Sequence, residues 1–206
     1  MIETTRPELV AYQEERLAKF VNENQKLDKG QIVFAGDSIT EFFALKKYLG
    51  RDLPLVNRGI AGTDSVWLLD HLKEQVLDLE PSELVLLIGI NDIGRGYPIR
   101  DIVNRISEIV MTVRQESLLT EIYLLSVFPV SEKSQYASKV KIRNNATVRE
   151  LNQQLAVLPG VTYVDLYDYL TDAQGQLNDT YTTDGLHLSP QGYQVLAEPI
   201  KKEILE

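Results

Sequence analysis

Two spacings of hydrophobic residue alternate along this chain. Short continuous apolar runs recur at Ile32-Val33-Phe34-Ala35, Leu55-Val56-Asn57, Leu84 to Ile88, Ile122 to Phe128 and Val161 to Val164. Such runs predict strands buried on both faces. The fourth is expected to stop at Pro129, which cannot donate to a sheet. Between the runs, apolar residues fall at helical intervals. Glu8 to Asn24 places Leu9, Tyr12, Leu17, Phe20 and Val21 near one face among charges. Ile39 to Tyr48 predicts a helix ending near Gly50. Asp64 to Leu79 predicts another, with Trp67, Leu68, Leu72 and Val76 as its apolar positions and Asp64 or Thr63 as its cap. Ile99 to Ser117 carries Ile102, Ile106, Ile109, Val110 and Val113 on one side. Ile142 to Leu158 is closed by Pro159-Gly160, and Pro190 opens a terminal helix reaching Leu205. Polar stretches from Ser131 to Lys141 and from Gln174 to Thr183 are read as loops.

Strand alternating with helix implies an α/β fold with a mostly parallel five-stranded sheet and helices on both faces. No repeat, low-complexity segment or linker divides residues 1–206, so one domain is expected, with residues 1–30 as an N-terminal helical extension. In an open parallel sheet, ligands bind beyond the carboxyl ends of the strands. Whatever follows the strands therefore matters most for chemistry.

Composition narrows the function. Hydrophobic residues make up 44% and charged residues 25%, a globular balance. The formal net charge of −9 disfavours binding to nucleic acid or to anionic lipid. With no cysteine, disulfides, thiolate nucleophiles and zinc–cysteine sites are excluded. Met1 to Lys29 lacks the apolar core of a signal peptide, and no segment approaches the roughly 18 apolar residues of a membrane span. A cytoplasmic location without stable membrane insertion is the expectation, and a homo-oligomer is compatible with the sequence.

Four small motifs sit just past predicted strands or in a late loop. Gly36-Asp37-Ser38 follows the first strand, Gly62 closes Asn57-Arg58-Gly59-Ile60-Ala61-Gly62 after the second, Gly89-Ile90-Asn91-Asp92 follows the third, and Asp184-Gly185-Leu186-His187 lies near the C-terminus. Each alone has an ordinary structural reading: a helix cap for Asp37 and Ser38, a left-handed turn for Gly62, a polar strand end for Asn91-Asp92, a turn for Asp184 to His187. Together they supply every role of one mechanism. Ser38 offers a hydroxyl nucleophile, His187 a base, and Asp184, three residues earlier, a carboxylate to orient it. The Ser38 amide, the Gly62 amide and the Asn91 side chain offer donors for an oxyanion. The other histidine, His71, reads as a boundary residue within its helix.

At this point the chain resembles the SGNH (GDSL) hydrolase superfamily, most closely its platelet-activating-factor-acetylhydrolase-like branch. Gly36-Asp37-Ser38 matches the first block, Gly62 the oxyanion glycine of the second, Gly89 to Asp92 the third and Asp184 to His187 the last. The likeness runs from about Ile32 to Leu196 and takes in Arg143-Asn144-Asn145 and Leu188 to Tyr193. It implies a three-layer α/β/α sandwich, ester or acyl hydrolysis, and no metal or organic cofactor. Ile39 stands where many members carry leucine. The more familiar elbow Gly-x-Ser-x-Gly is absent, since Thr40 occupies its last position.

The expected enzyme is a serine esterase acting on a small-molecule ester, an acetylated sugar or a lipid ester, with short acyl groups suggested by the resemblance. Ile39, Phe42, Tyr97 and the loop from Ser131 to Val140 are candidate pocket walls, although at least one of Phe42 and Phe43 should pack into the core. Two other readings stay open. Asp37, Asp92 and Asp184 could hold Mg²⁺ for phosphoester chemistry, or the strand–loop–helix turns could serve a flavodoxin-like binding module.

Overall fold

The computed structural model describes residues 1–205. The elements are α1 (Pro7–Asn24), β1 (Ile32–Gly36), α2 (Ser38–Glu41), α3 (Leu45–Tyr48), β2 (Leu55–Gly59), α4 (Ser65–Asp70), α5 (Leu72–Gln75), β3 (Glu83–Leu87), α6 (Ile90–Gly94), α7 (Ile99–Glu116), β4 (Glu121–Leu125), α8 (Ala137–Val140), α9 (Asn145–Leu155), β5 (Thr162–Val164) and α10 (Pro190–Ile200). The five strands form one sheet in the order β2-β1-β3-β4-β5, and every pairing is parallel. Contacts join α4, α7 and α9, and α1 with α5, while α10 packs on α3. The result is a three-layer α/β/α sandwich. β1 is buried along its whole length and β3 from Leu84 onward, as their unbroken apolar runs require.

The strand order changes direction between β1 and β3. The chain leaves β1 toward β2 and leaves β3 toward β4, so the connections diverge and open a crevice at that edge. Ser38 follows β1 and Asn91 follows β3, on the two sides of this crevice.

Several predicted elements are shorter than the hydrophobic pattern suggested, each for a local reason. The helix expected over Ile39 to Tyr48 breaks at Phe42–Ala44. There the Asn57 side chain on β2 donates to the Thr40 carbonyl at 2.7 Å and to the Phe43 carbonyl at 3.0 Å, satisfying groups the break exposes. Asp64 to Leu79 divides at His71. The His71 ring stacks on Trp67, and Nδ1 approaches the Trp67 carbonyl at 2.9 Å, in competition with the backbone. Asp64 is the cap, accepting from Trp67 N–H. β4 ends at Leu125, before Pro129, because two side-chain amides from α9 replace a strand partner. Asn152 brackets the Val127 backbone and Asn145 brackets that of Val130, all at 2.8–2.9 Å. The stretch from Ser131 to Lys141 contains a 3₁₀ turn and α8. The terminal helix switches to π spacing at Lys201–Leu205, just after Pro199, which has no N–H to give. On α1, Tyr12 and Val21 are exposed. The docked face is mixed: Phe20 is buried, and Gln13 and Arg16 donate to the carbonyls of Ala61 and Gly59 at 2.9 Å.

Among the described residues, no helix is long and apolar enough to cross a membrane.

Candidate active site

The last motif shapes itself. Asp184 Oδ1 accepts from the backbone N–H of Leu186 at 3.0 Å and of His187 at 2.7 Å, an Asx-type turn. Gly185 bridges it at φ +81°, and a Cβ there would lie 2.5 Å from Tyr136, so only glycine fits. Thr182 clasps the base of the turn, its hydroxyl donating to the His187 carbonyl and accepting from Gly185 N–H. With the backbone so held, Asp184 Oδ2 meets His187 Nδ1 at 2.7 Å, and His187 Nε2 lies 2.9 Å from Ser38 Oγ.

Burial works against charge on Asp184, but hydrogen bonds from the His187 ring and backbone outweigh it and hold the carboxyl well below the usual range. An ionised carboxylate only accepts. Nδ1 must therefore donate to it, which leaves the Nε2 lone pair for the Ser38 hydroxyl proton. The geometry can carry out proton abstraction from Ser38.

Ser38 opens α2, whose cap is its neighbour: Asp37 Oδ1 accepts from Ile39 N–H at 2.9 Å. Asp37 Oδ2 is buried without a partner. Burial pushes this carboxyl up to about 7, against the Ile39 N–H and the charge of His187. Its folded value thus lies above the ordinary 3.8. Between those values the folded chain holds a proton that the unfolded chain has lost, so stability falls as pH rises through that window. The slope is about 1.4 kcal/mol per pH unit, reaching about 4 kcal/mol at most. Asp37→Asn should remove this contribution. The difference in unfolding free energy between the two proteins, from urea titrations at pH 4.5, 6 and 7.5, is expected to shift in favour of the variant as pH rises. A difference independent of pH would contradict the assignment.

Two loops bring further donors. After β2, Gly62 turns at φ +75°; a Cβ there would sit 2.6 Å from Leu9. Its carbonyl accepts from Arg95 at 2.8 Å, while its N–H and that of Ser38 donate to no described residue. After β3, the Asn91 amide is pinned at both ends. Nδ2 donates to the Thr63 carbonyl at 2.9 Å, and Oδ1 accepts from Arg143 at 2.8 Å. One Asn91 N–H remains uncommitted. The next residue, Asp92, ties the two loops together through Ser65 and Arg105, with burial raising its carboxyl above the usual range despite these bonds.

These groups meet at a cleft of about 230 Å³ lined by Ser38, Gly62, Asn91 and His187. Phe42 lies at its rim, 51% exposed with its ring centroid 5.4 Å from that of His187, whereas Phe43 packs on Phe34 and Tyr193 in the core. The expectation for Ile39 and Tyr97 fails. Ile39 points into the core at 3% exposure, its carbonyl accepting from Tyr193, and Tyr97 lies under Arg105 outside the cleft. From the Ser131 to Val140 stretch only Lys139 reaches the cleft. Residues outside the motifs complete it: Glu3, Thr4, Thr5 and Leu9 from the N-terminal segment, with Arg95; Leu186, inside the last motif, also lines it. No signal in the sequence pointed to the first four. Arg143 was visible only as part of a matching stretch.

Asp37, Asp92 and Asp184 each take separate partners, and among the described residues no cluster of three acidic or histidine side chains is arranged to hold a metal ion.

Comparison with known proteins places the chain in a family. The model of the GDSL-like Lipase/Acylhydrolase family matches residues 34–195. A Streptococcus pneumoniae structure, described as a candidate platelet activating factor, superimposes with a TM-score of 0.90 at 38% identity, over 94% of this chain and 93% of that one. The Arabidopsis thaliana GDSL esterase/lipase CPRD49 is 27% identical over 85% of this chain and 79% of its own length. An N-acylneuraminate cytidylyltransferase of Escherichia coli is 30% identical over 82% of this chain, which spans only 39% of that larger protein. The chain belongs to the GDSL-like lipase/acylhydrolase family and is a GDSL-type serine esterase.

Proposed function

We propose that the 206 residues form one catalytic unit that hydrolyses small-molecule carboxylic esters through an acyl-enzyme on Ser38. The observation that carries this is the unbroken line Asp184–His187–Ser38, at 2.7 and 2.9 Å, ending in a cleft that also presents Gly62 and Asn91. Ser38 Oγ attacks the ester carbonyl as His187 Nε2 takes its proton. The carbonyl oxygen becomes an oxyanion, met by the Ser38 and Gly62 amides and the free Asn91 N–H. As the tetrahedral intermediate collapses, His187 protonates the leaving alcohol. Water, deprotonated by the same imidazole, then releases the acid and restores Ser38.

Short acyl groups, acetyl above all, suit this cleft. Its volume lies below the roughly 300–1,000 Å³ typical of drug-sized ligand sites. Among its lining residues, Phe42, Leu9 and Leu186 are apolar and suit a small acyl group, and Thr4, Thr5, Arg95 and Lys139 are polar and suit the alcohol of an acetylated sugar or lipid ester.

Labelling with a fluorophosphonate followed by peptide mapping is expected to modify Ser38 alone, and p-nitrophenyl acetate to be hydrolysed with a higher kcat/KM than p-nitrophenyl octanoate. Label elsewhere would remove Ser38 from its role. A preference for octanoate would reverse the acyl-length reading and leave the nucleophile standing.

A further inference from the structure

The family match begins at residue 34, yet an arm from before it forms one wall of the cleft and connects to an oxyanion donor. The Glu3 N–H donates to the Gly94 carbonyl at 2.8 Å, fixing the arm against the end of α6. The Glu3 carboxylate then divides. Oε1 accepts from Lys141 at 3.1 Å, and Oε2 pairs with Arg143. The Arg143 side chain is wholly shielded from solvent. Its Nε donates to the Ile90 carbonyl at 2.9 Å. The terminal nitrogen that meets Glu3 also donates to Asn91 Oδ1 at 2.8 Å. A guanidinium is a rigid plane, so the two N–H groups on that nitrogen cannot be aimed independently. Holding one on Glu3 sets the other on Asn91, and this fixes the rotation of the amide whose remaining N–H faces the cleft.

We propose that Glu3 is a positioning residue of the oxyanion hole, acting through Arg143 to hold the Asn91 amide toward the developing oxyanion. This deepens the function proposed above and rests on it. Burial opposes charge on Glu3, but Arg143 and Lys141 overcome it and keep the carboxyl below its usual range, which favours the ionised form that the pairing needs. A competing account is that Glu3 only neutralises a buried cation and so supports the fold.

A double-mutant cycle separates these accounts. Glu3→Gln, Glu3→Asp, Asn91→Ala and the Glu3→Gln/Asn91→Ala double variant are assayed on p-nitrophenyl acetate, with thermal midpoints measured so that rates refer to folded protein. Asn91→Ala should lower kcat by about 100-fold or more. Glu3→Gln should lower kcat by roughly 10- to 30-fold with KM within about threefold, a smaller loss than deleting the donor itself. Glu3→Asp, which keeps the charge, should recover most of that loss. In the Asn91→Ala background, Glu3→Gln should cost less than about twofold, because the amide it positions is gone. An equal loss in both backgrounds, or an effect on KM alone, would overturn the proposal, as would normal kcat in Glu3→Gln beside a crippled Asn91→Ala. Normal kcat in Asn91→Ala would instead defeat the oxyanion role on which it rests.

Discussion

Ser38→Ala is expected to lower kcat on p-nitrophenyl acetate by roughly 10⁵- to 10⁶-fold, the scale seen when the nucleophile of such a triad is removed, while the protein stays folded. The side chain has a single hydrogen-bonding partner, His187 Nε2. It does not cap α2, a task done by Asp37 on Ile39 N–H. Removing one neutral hydrogen bond at a partly open site costs about 1 kcal/mol of stability. The residual rate should stay above that of water, because Gly62 and Asn91 still offer donors. Steady-state kinetics alongside a urea midpoint check both halves. A folded variant that keeps most of its kcat would transfer the reaction to another nucleophile.

β1 and β3 were legible because continuous burial on both faces suits runs such as Leu84 to Ile88, whereas in β5 only Val164 is buried. α7 was legible because Ile102, Ile106, Ile109, Val110 and Val113 are all buried on one side, as their spacing requires. Where the helix after Ser38 broke and β4 stopped short, a polar side chain had replaced a backbone partner. Asn57 satisfies the broken helix after Ser38, and Asn145 with Asn152 satisfies the chain beyond Leu125. Hydrophobic periodicity does not register such bonds. The same blindness missed part of the docked face of α1: Phe20 is buried as its spacing requires, but Gln13 and Arg16 dock beside it through hydrogen bonds.

The motifs were visible in the sequence because the chemistry proposed for them depends on residue type and short spacing. Asp184 and His187 need only one turn between them. The cleft walls were not visible, because they depend on which segments the fold delivers to the end of the sheet. Ile39 and Tyr97 lie near Ser38 and Asn91 in sequence but face elsewhere, while Glu3 and Leu9 are distant in sequence and line the cleft.

Asp184→Asn tests the orientation of the base and is expected to cost about 10⁴-fold in kcat. The turn should survive: an asparagine carbonyl oxygen can still accept from the N–H groups of Leu186 and His187, as Oδ1 does now. The group facing Nδ1 becomes an amide donor. To meet a donor, Nδ1 must present its lone pair, which moves the ring proton to Nε2 and points an N–H at Ser38 Oγ. The imidazole then cannot take the serine proton without first changing tautomer, and the imidazolium formed on attack loses its counter-charge. The carboxylate is held ionised in the native protein, so this deficit should appear throughout the neutral range rather than emerge as pH is lowered. Fluorophosphonate labelling of the variant should slow in step with kcat, since it draws on the same activated hydroxyl. A variant with normal labelling and normal kcat would show that His187 is oriented by its backbone turn alone and that Asp184 matters only to the loop.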